Sequence, residues 1–221
     1  MLIAGRALLA ALALVVVAGC SSDEDEPDAP PVVQLGPPGE TGTPLTDDEI
    51  AELDDAQYTE ADVAFVQGMI SHHAQALVMT DLVADRTGRD DLPQLAERMD
   101  VSQRDEITQM ERWLEDRGED VPDASAGHHH GDGELMPGML TDDDLARLEA
   151  ASGRDFDELF LLYMIRHHEG AMMMVAELLS SDDGGQESDV FRLAQHIDSD
   201  QNVEIARMKS LLAEIAASSP T

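Results

Sequence analysis

Hydrophobic side chains in the first half of the chain recur at spacings of three and four within two long segments. The stripe in the first segment is formed by Phe65, Met69, His72, His73, Ala76 and Thr80. The stripe in the second segment is formed by Leu92, Leu95, Met99, Gln103, Glu106, Met110 and Trp113. Because this spacing places side chains on one face of an α-helix, the pattern predicts two amphipathic helices. Gly118 and Pro122, which are typical helix terminators, end the second helix.

The second half of the chain repeats the first half. Residues 45–53 match residues 140–148, which lie 95 positions later. The same offset carries the His pair and its neighbours to Phe160, Met164, Ile165, His167, His168, Ala171 and Met174. The offset later becomes 98, because three extra residues fall in the turn at 180–188, where a surface loop tolerates insertion. Each half is therefore predicted to form a short helix, a long helix, a turn and a second long helix.

An all-α fold with two-fold pseudosymmetry follows from this repeat. Residues 45–120 are the first predicted helical repeat and residues 140–216 the second. Together they are expected to build one domain, a four-helix bundle of two helical hairpins with the short helices across its ends. No stretch alternates in the way that is typical of strands. Thr141 and Asp144 predict a capping box at the start of the second short helix.

A linker at 121–139, rich in Gly, His and Met, joins the two repeats. Its candidate metal ligands are His128, His129, His130, Met136 and Met139. Three consecutive imidazoles can capture a divalent ion, but their spacing alone predicts no fixed geometry. The linker is therefore a secondary candidate.

The N-terminal residues indicate a targeting signal rather than a folded element. Residues 1–19 combine a positively charged start, the apolar run Ala7–Val17 and a small-residue cleavage site before Cys20, a pattern that resembles a bacterial lipoprotein signal peptide. The apolar run is shorter than the roughly 20 residues that span a bilayer, which disfavours a transmembrane helix. Residues 20–44, rich in Asp, Glu, Pro and Gly, predict a disordered acidic tether. The protein is thus predicted to be secreted and held by a lipid on Cys20 at the outer face of the cell membrane.

The charge balance narrows the class of partner. The chain has 47 acidic and 13 basic residues and a formal charge of −34. Nucleic acid is excluded as a partner, because its phosphates would repel such a surface. Most of these carboxylates serve solubility, although together they raise the cation concentration near the surface. Cys20 is the only cysteine, so no disulfide is predicted.

Methionine and histidine occupy matching places in both repeats. On a helix, Met69, His72 and His73 lie within one turn of each other, and the second repeat has the same arrangement. Thioether sulfur is a soft ligand that favours Cu(I), and imidazole suits both oxidation states, so the predicted ion is copper, with Cu(I) favoured over Cu(II). The predicted metal ligands are Met69, His72, His73, Met79, Met110, Met164, His167, His168, Met174 and Met208.

Core packing is the alternative for these residues, because methionine at helical spacing commonly fills gaps in a hydrophobic core. Two adjacent imidazoles at the same place in both repeats favour a site, since burying them unpaired is costly. Gln103, Glu106, Gln201 and Glu204 interrupt the second stripe of each repeat in the same way. A metal-bound His commonly donates its other N–H to a carboxylate or carbonyl, so these four residues are predicted to orient the imidazoles.

Several motifs resemble the domain of unknown function 305 family. They are Met69-x-x-His72-His73, its counterpart Met164-x-x-His167-His168-Glu169-Gly170-Ala171, the Gln-x-x-Glu pairs that begin at 103 and 201, and Met136-Pro137-Gly138-Met139. The resemblance covers nearly all of residues 45–212. It implies a ferritin-like bundle in a secreted or membrane-anchored bacterial protein, and copper binding, which some members of the family show.

These features together predict an envelope protein that sequesters, buffers or hands over copper, with no catalytic residues and with a copper-transfer protein as a further partner. One alternative is a ferritin-like di-metal oxidase with Glu106 and Glu204 as ligands. Neither Glu has a His three residues on, as such sites commonly need. The other alternative is a helical interaction scaffold that binds no metal.

Overall fold

The computed structural model describes residues 33–34, 43–46, 57–123 and 135–218. The predicted signal peptide, Cys20, most of the first short helix and the three consecutive His of the linker lie outside these residues. No helix in the described ranges is long and apolar enough to cross a membrane.

The chain divides into two compact units, residues 1–53 and residues 54–221. In the first unit, the two-residue strands β1 (Val33–Gln34) and β2 (Thr43–Pro44) pair in an antiparallel ladder. Both strands fall inside the segment that composition predicts to be a tether. Backbone hydrogen bonds hold such a ladder without a hydrophobic pattern, and therefore the side chains give no signal for it.

Helices make up the described part of the second unit, which confirms the predicted all-α bundle. They are α1 (Glu60–Asp81), α2 (Val83–Arg86), α3 (Leu92–Arg117), α4 (Asp142–Ala150), α5 (Gly153–Ser180) and α6 (Ser188–Ala217). The hairpins α1–α3 and α5–α6 are the two repeats. Within each hairpin the long helices pack on each other, and α1 packs on α5 to join the hairpins.

Local chemistry fixes the helix ends. Thr141 and Asp144 form the predicted capping box at the start of α4. A second box, between Thr59 and Asp62, starts α1. Gly118 ends α3 as predicted, in the left-handed conformation with φ of 70°, which glycine adopts without a steric cost.

Methionines form much of the hydrophobic core, which consists of two clusters. The methionines of the first core cluster, which also contains Trp113, are Met69, Met110, Met136, Met139 and Met174. The methionines of the second core cluster, which also contains Phe156 and Phe160, are Met79, Met99, Met164 and Met208. On α1 and on α5, the His pair falls between a methionine of one cluster and a methionine of the other. The imidazoles therefore lie between the two clusters.

Two buried carboxylates tie the hairpins together. Asp62 at the start of α1 accepts a hydrogen bond from the backbone N–H of Gly185, in the turn of the second hairpin, at 2.6 Å. Its counterpart Asp157 accepts from the hydroxyl of Thr87, in the turn of the first hairpin, also at 2.6 Å. Each repeat thus binds the turn of the other repeat. These two contacts fix the register of the two hairpins.

The segment 135–140 breaks the pseudosymmetry, because it packs across the bundle at one of two related places. The Gln75 amide clamps Leu140 by donating to its carbonyl at 3.0 Å and accepting from its N–H at 2.7 Å. The position equivalent to Gln75 in the second repeat is Gly170. A Cβ there would lie 2.0 Å from the carbonyl oxygen of Pro137, so only glycine lets the segment approach α5.

Candidate metal centre

Four imidazoles lie in the interior of the bundle. His72, His73, His167 and His168 are all fully buried. His72 and His167 meet where α1 crosses α5, with ring centroids 3.9 Å apart and ring planes inclined by 36°. Within each pair the centroids are 6.4 Å and 6.3 Å apart. The structure therefore brings the predicted His ligands of both repeats into one layer, which we call the imidazole layer.

Carboxylates orient one imidazole of each pair. Nε2 of His73 lies 2.7 Å from Oε2 of Glu106, and Nε2 of His168 lies 2.6 Å from Oε2 of Glu204. A carboxylate only accepts, so Nε2 carries the hydrogen and Nδ1 of the neutral ring keeps a free lone pair. Neither Nδ1 has a hydrogen-bond partner within the described part of the chain. This is the tautomer in which Nδ1 can bind a metal ion.

The remaining two imidazoles differ from each other. Nε2 of His72 donates to the backbone carbonyl of Pro137 at 3.0 Å, which leaves its Nδ1 without a partner. In His167 neither ring nitrogen has a partner among the described residues. The segment 135–140 thus satisfies one member of the pseudosymmetric pair and leaves the other open.

Five buried ring nitrogens in one layer are consequently unpaired within the described ranges. A buried polar atom without a partner costs about 1 to 3 kcal/mol, so an apolar core gains nothing from this arrangement. One nitrogen of the neutral His167 ring carries hydrogen, so four of the five offer a lone pair, and a ligand that accepts lone pairs would offset the cost at those four. The chemistry of the layer therefore fits a metal cation better than a packing role.

Burial also keeps two of these rings, those of His72 and His167, unprotonated. Removal from water is the largest cause that lowers the pKa of His72 to about 3, and the neighbouring His73 lowers it further. Burial, followed by the proximity of His72, lowers the pKa of His167 well below its ordinary value. At neutral pH these two rings are therefore neutral, so a metal ion would not have to compete with a second ring proton on either of them.

We expect the metal-free protein to lose stability as the pH falls below about 6.5. The unfolded chain then protonates His72 while the folded chain does not, so stability present above pH 6.5 is lost on acidification. One such group contributes about 1.4 kcal/mol per pH unit, or about 2 kcal/mol between pH 6.5 and 5. Urea unfolding across this range measures it. His72→Asn should lower the slope by that amount while His167 still contributes in the same direction, and an unchanged slope in that variant would contradict the assignment.

The predicted methionine ligands all lie in the core. Met69, Met79, Met110, Met164 and Met208 are fully buried, and Met174 is 8% exposed. They occur on both sides of the imidazole layer, in the two core clusters. The part of the chain that the structure describes holds no group of three His, Cys, Asp or Glu side chains placed to bind a metal ion.

The predicted orienting residues do not all behave alike. Glu106 and Glu204 contact imidazoles, as described above. Gln103 does not, because both its amide atoms lie buried with no hydrogen-bond partner in the described residues, and the same holds for the amide oxygen of Gln201. Each Gln precedes its Glu by three residues, and it is the carboxylate that lies within hydrogen-bond distance of the ring.

Sequence reasoning missed the part that Pro137 plays in this region and the packing of Met136 and Met139 in the core. The backbone carbonyl of Pro137 carries no side-chain signal. Met136 and Met139 were assigned to the linker, but they are 4% and 5% exposed and belong to the first core cluster. Residues 136–139 directly precede Leu140, the first residue of the second repeat. This short separation from a folded helix was the signal that they pack against the bundle.

Comparison with known proteins identifies the family of this fold. The profile of DUF305, described as a domain of unknown function, matches residues 40–212. A DUF305 protein from Streptomyces coelicolor is 31% identical, with a TM-score of 0.60, over 71% of this chain and 94% of that one. A DUF305 fragment from Deinococcus radiodurans is 32% identical, with a TM-score of 0.61, over 71% of this chain and 98% of that one.

CopM, a protein solved with bound copper, shares the same fold. Its Cu(I)-bound form is 26% identical, with a TM-score of 0.55, over 72% of this chain and 98% of that one. Its Cu(II)-bound form is 28% identical, with a TM-score of 0.57, over 69% of this chain and 96% of that one. Among curated proteins, none matched the chain. Since the profile spans most of the sequence and both DUF305 structures share its fold, the chain belongs to the DUF305 family.

Proposed function

We propose that this chain is a copper-binding protein of the cell envelope that holds Cu(I) between buried imidazole and thioether groups. The observation that carries the proposal is the imidazole layer, in which five buried ring nitrogens have no partner among the described residues. Three of the four rings have Nε2 held by an acceptor, so their Nδ1 lone pairs are available. Such a layer is costly unless a cation binds to it.

The ligand chemistry favours copper over harder ions. Thioether sulfur is neutral and soft, which suits Cu(I), while Ca²⁺ and Mg²⁺ prefer oxygen ligands. Methionines of both core clusters flank the imidazoles, so sulfur and nitrogen ligands are available together. CopM, a structural neighbour, was solved with Cu(I) and with Cu(II), which supports the same ion here. We propose Cu(I) as the main form and Cu(II) as the second.

The proposed role is to sequester, buffer or hand over copper, without catalysis. A lipid on Cys20 would hold the protein at the outer face of the cell membrane, where copper ions arrive from outside. The Streptomyces coelicolor relative, which is described as a candidate secreted protein, supports a place outside the cytoplasm. A copper-transfer protein would be the partner that receives the ion.

Competition for Cu(I) tests this proposal. The protein carrying Cys20→Ser, which removes the only thiol, is titrated against a coloured Cu(I) chelator under anaerobic conditions. We expect the protein to withdraw Cu(I) from the chelator with an affinity well beyond micromolar. Replacing His72, His73, His167 and His168 by Asn should weaken that affinity by at least about 100-fold. Binding no tighter than micromolar, or binding unaffected by the four substitutions, would overturn the proposal.

A further inference from the structure

A reverse turn at residues 136–139 places a backbone carbonyl against the imidazole layer. The N–H of Met139 donates to the carbonyl of Met136 at 3.2 Å, and Gly138 has a φ of 76°. Proline at the second position of a turn restricts φ to negative values, and glycine with a positive φ at the third position then defines a type II turn. The Pro-Gly pair in the sequence therefore determines the conformation of this turn.

The turn type decides where the carbonyl of Pro137 points. Type I and type II turns differ mainly in the direction of their central peptide, because ψ of the second residue and φ of the third change by about 150° or more. The carbonyl of Pro137 belongs to that peptide, and it accepts the hydrogen bond from Nε2 of His72 at 3.0 Å. In a type I turn the central peptide would face the other way, and the carbonyl would turn away from the ring.

The side chain of Gln75 holds the turn in this position. Gln75 is fully buried, and both polar atoms of its amide bind the backbone of Leu140, the residue that follows the turn. Gln75 comes three residues after His72 on α1, so one face of this helix presents both the ring and the clamp. Because both hydrogen bonds go to Leu140, Gln75 acts on His72 through the turn.

Two glycines allow the turn to pack directly on the backbone of α5. A Cβ on Gly138 would lie 2.4 Å from the carbonyl oxygen of Arg166, and a Cβ on Gly170 would lie 2.7 Å from Cα of Gly138. Backbone atoms would have to shift to admit either Cβ. A larger residue at either position would therefore push the turn away from His72.

This arrangement occurs once, although the bundle consists of two repeats. Positions 41–44, which match 136–139 at the offset of 95, read Thr-Gly-Thr-Pro and contain no Pro-Gly pair. His167 is the counterpart of His72, and within the described ranges neither of its ring nitrogens has a partner. The turn therefore makes the two rings that meet at the crossing of α1 and α5 chemically different.

We infer that Gln75 is a positioning residue, which through the turn at 136–139 keeps the hydrogen of His72 on Nε2 and leaves its Nδ1 lone pair free. The purpose of this positioning rests on the proposed copper-binding function, because a ring with a fixed tautomer needs no rearrangement when it binds an ion. His72, His73 and His168 each offer Nδ1, whereas His167 can offer either nitrogen. The layer thus combines three fixed ligands with one adaptable ligand.

The tautomer of His72 in the metal-free protein tests this inference. Long-range proton–nitrogen correlation spectra distinguish a ring nitrogen that carries hydrogen from one that carries a lone pair, and His72→Asn identifies the signals of His72. We expect the unaltered protein to hold the hydrogen on Nε2 alone. Gln75→Leu, which removes the amide at similar size, should convert His72 to a mixture of both tautomers. The signals of His73 and His168, whose hydrogens are held by carboxylates, should not change.

Gln67→Leu is the matched control for Gln75→Leu. Gln67 lies on the same helix and also donates to a backbone carbonyl, that of Asp120, at 2.7 Å. This variant loses a comparable hydrogen bond that does not hold the turn, so the tautomer of His72 should stay as it is.

Two glycine variants form a second matched pair. Gly138 and Gly118 have φ values of 76° and 70°, so alanine strains the backbone at both positions. A Cβ on Gly118 would meet no atom within 4 Å, whereas a Cβ on Gly138 would meet α5. Gly138→Ala should therefore mix the tautomers of His72, and Gly118→Ala should not.

Retention of the hydrogen on Nε2 of His72 in both Gln75→Leu and Gly138→Ala would overturn the inference, because another group would then fix the tautomer. Mixed tautomers in Gln67→Leu would also overturn it, since the loss of any such hydrogen bond on α1 would then be sufficient. Circular dichroism verifies folding. If Gly138→Ala unfolds, the comparison of Gln75→Leu with Gln67→Leu decides the outcome.

Competition with a Cu(I) chelator separates this inference from the function on which it rests. In the Cys20→Ser background, Gln75→Leu should weaken Cu(I) binding by about 10-fold, the loss expected when the partner of a metal-bound His is disturbed. Unchanged affinity in a variant with mixed tautomers would overturn the positioning role. If the tautomer responds as expected and the unaltered protein binds no Cu(I), the proposed function fails while the control of His72 by Gln75 stands.

Discussion

Replacing Glu106 and Glu204 by alanine is expected to weaken Cu(I) binding by about 100-fold to 10,000-fold, because removal of a carboxylate that orients a metal-bound His typically costs 10-fold to 100-fold per ring. Each Glu accepts the Nε2–H of one His and so holds the Nδ1 lone pair toward the interior. Without this acceptor the ring can flip or place its hydrogen on Nδ1. Competition with a Cu(I) chelator in a Cys20→Ser background measures the loss.

Two control variants separate orientation from charge. Glu115 is exposed on the same helix as Glu106, so Glu115→Ala removes one negative charge without touching an imidazole and should leave the affinity unchanged. Glu106→Gln keeps an oxygen acceptor and should recover most of the loss that Glu106→Ala causes. If Glu115→Ala weakened binding as much as Glu106→Ala, the carboxylates would act through the general field of the acidic protein and not through the rings.

Local periodicity was sufficient to predict the helices and the residues of the imidazole layer. Met69, His72 and His73 recur with the same spacing as Met164, His167 and His168, and an apolar stripe has no other use for adjacent imidazoles. The structure buries all six. Such a prediction succeeds because a helix fixes the face of each side chain from spacing alone.

Contacts between the repeats could not be predicted in the same way. The sequence does not distinguish Asp62 and Asp157 from the many other carboxylates, yet each is buried against the turn of the other hairpin. An acidic residue near a helix start is common, and only the tertiary arrangement decides whether it also holds a distant backbone N–H. Because the chain has 47 acidic residues, the sequence alone does not show which two carboxylates are buried between the hairpins.

The sequence shows one position near the site at which the two repeats differ, but it does not explain the difference. Gln75 and Gly170 occupy equivalent positions in the two repeats and differ in size, polarity and hydrogen-bonding capacity. The structure explains both, since Gln75 clamps Leu140 and Gly170 makes room for Pro137. A position where two otherwise matching repeats differ sharply is thus a signal that one repeat binds a segment that the other does not.

His167→Leu is expected to change stability and copper affinity in opposite directions. Both ring nitrogens of His167 are buried and unpaired within the described ranges, so leucine should raise the free energy of unfolding of the metal-free protein by about 1 to 3 kcal/mol at pH 7.5. The same change removes a ring that lies 3.9 Å from His72 and should lower Cu(I) affinity by about 10-fold or more. Urea unfolding without metal and chelator competition with Cu(I) measure the two effects.

His196 supplies the matched control, because it is an exposed His on α6, away from the imidazole layer. His196→Leu should change neither quantity by more than the error of the measurement. A loss of stability in metal-free His167→Leu would mean that the ring is satisfied by a partner such as water, and the argument from unpaired nitrogens would fail at that ring. A gain of stability with unchanged copper affinity would instead leave His167 outside the metal site. Only a gain in the free energy of unfolding together with a loss of Cu(I) affinity is consistent with a buried His that binds the ion and destabilises the metal-free fold.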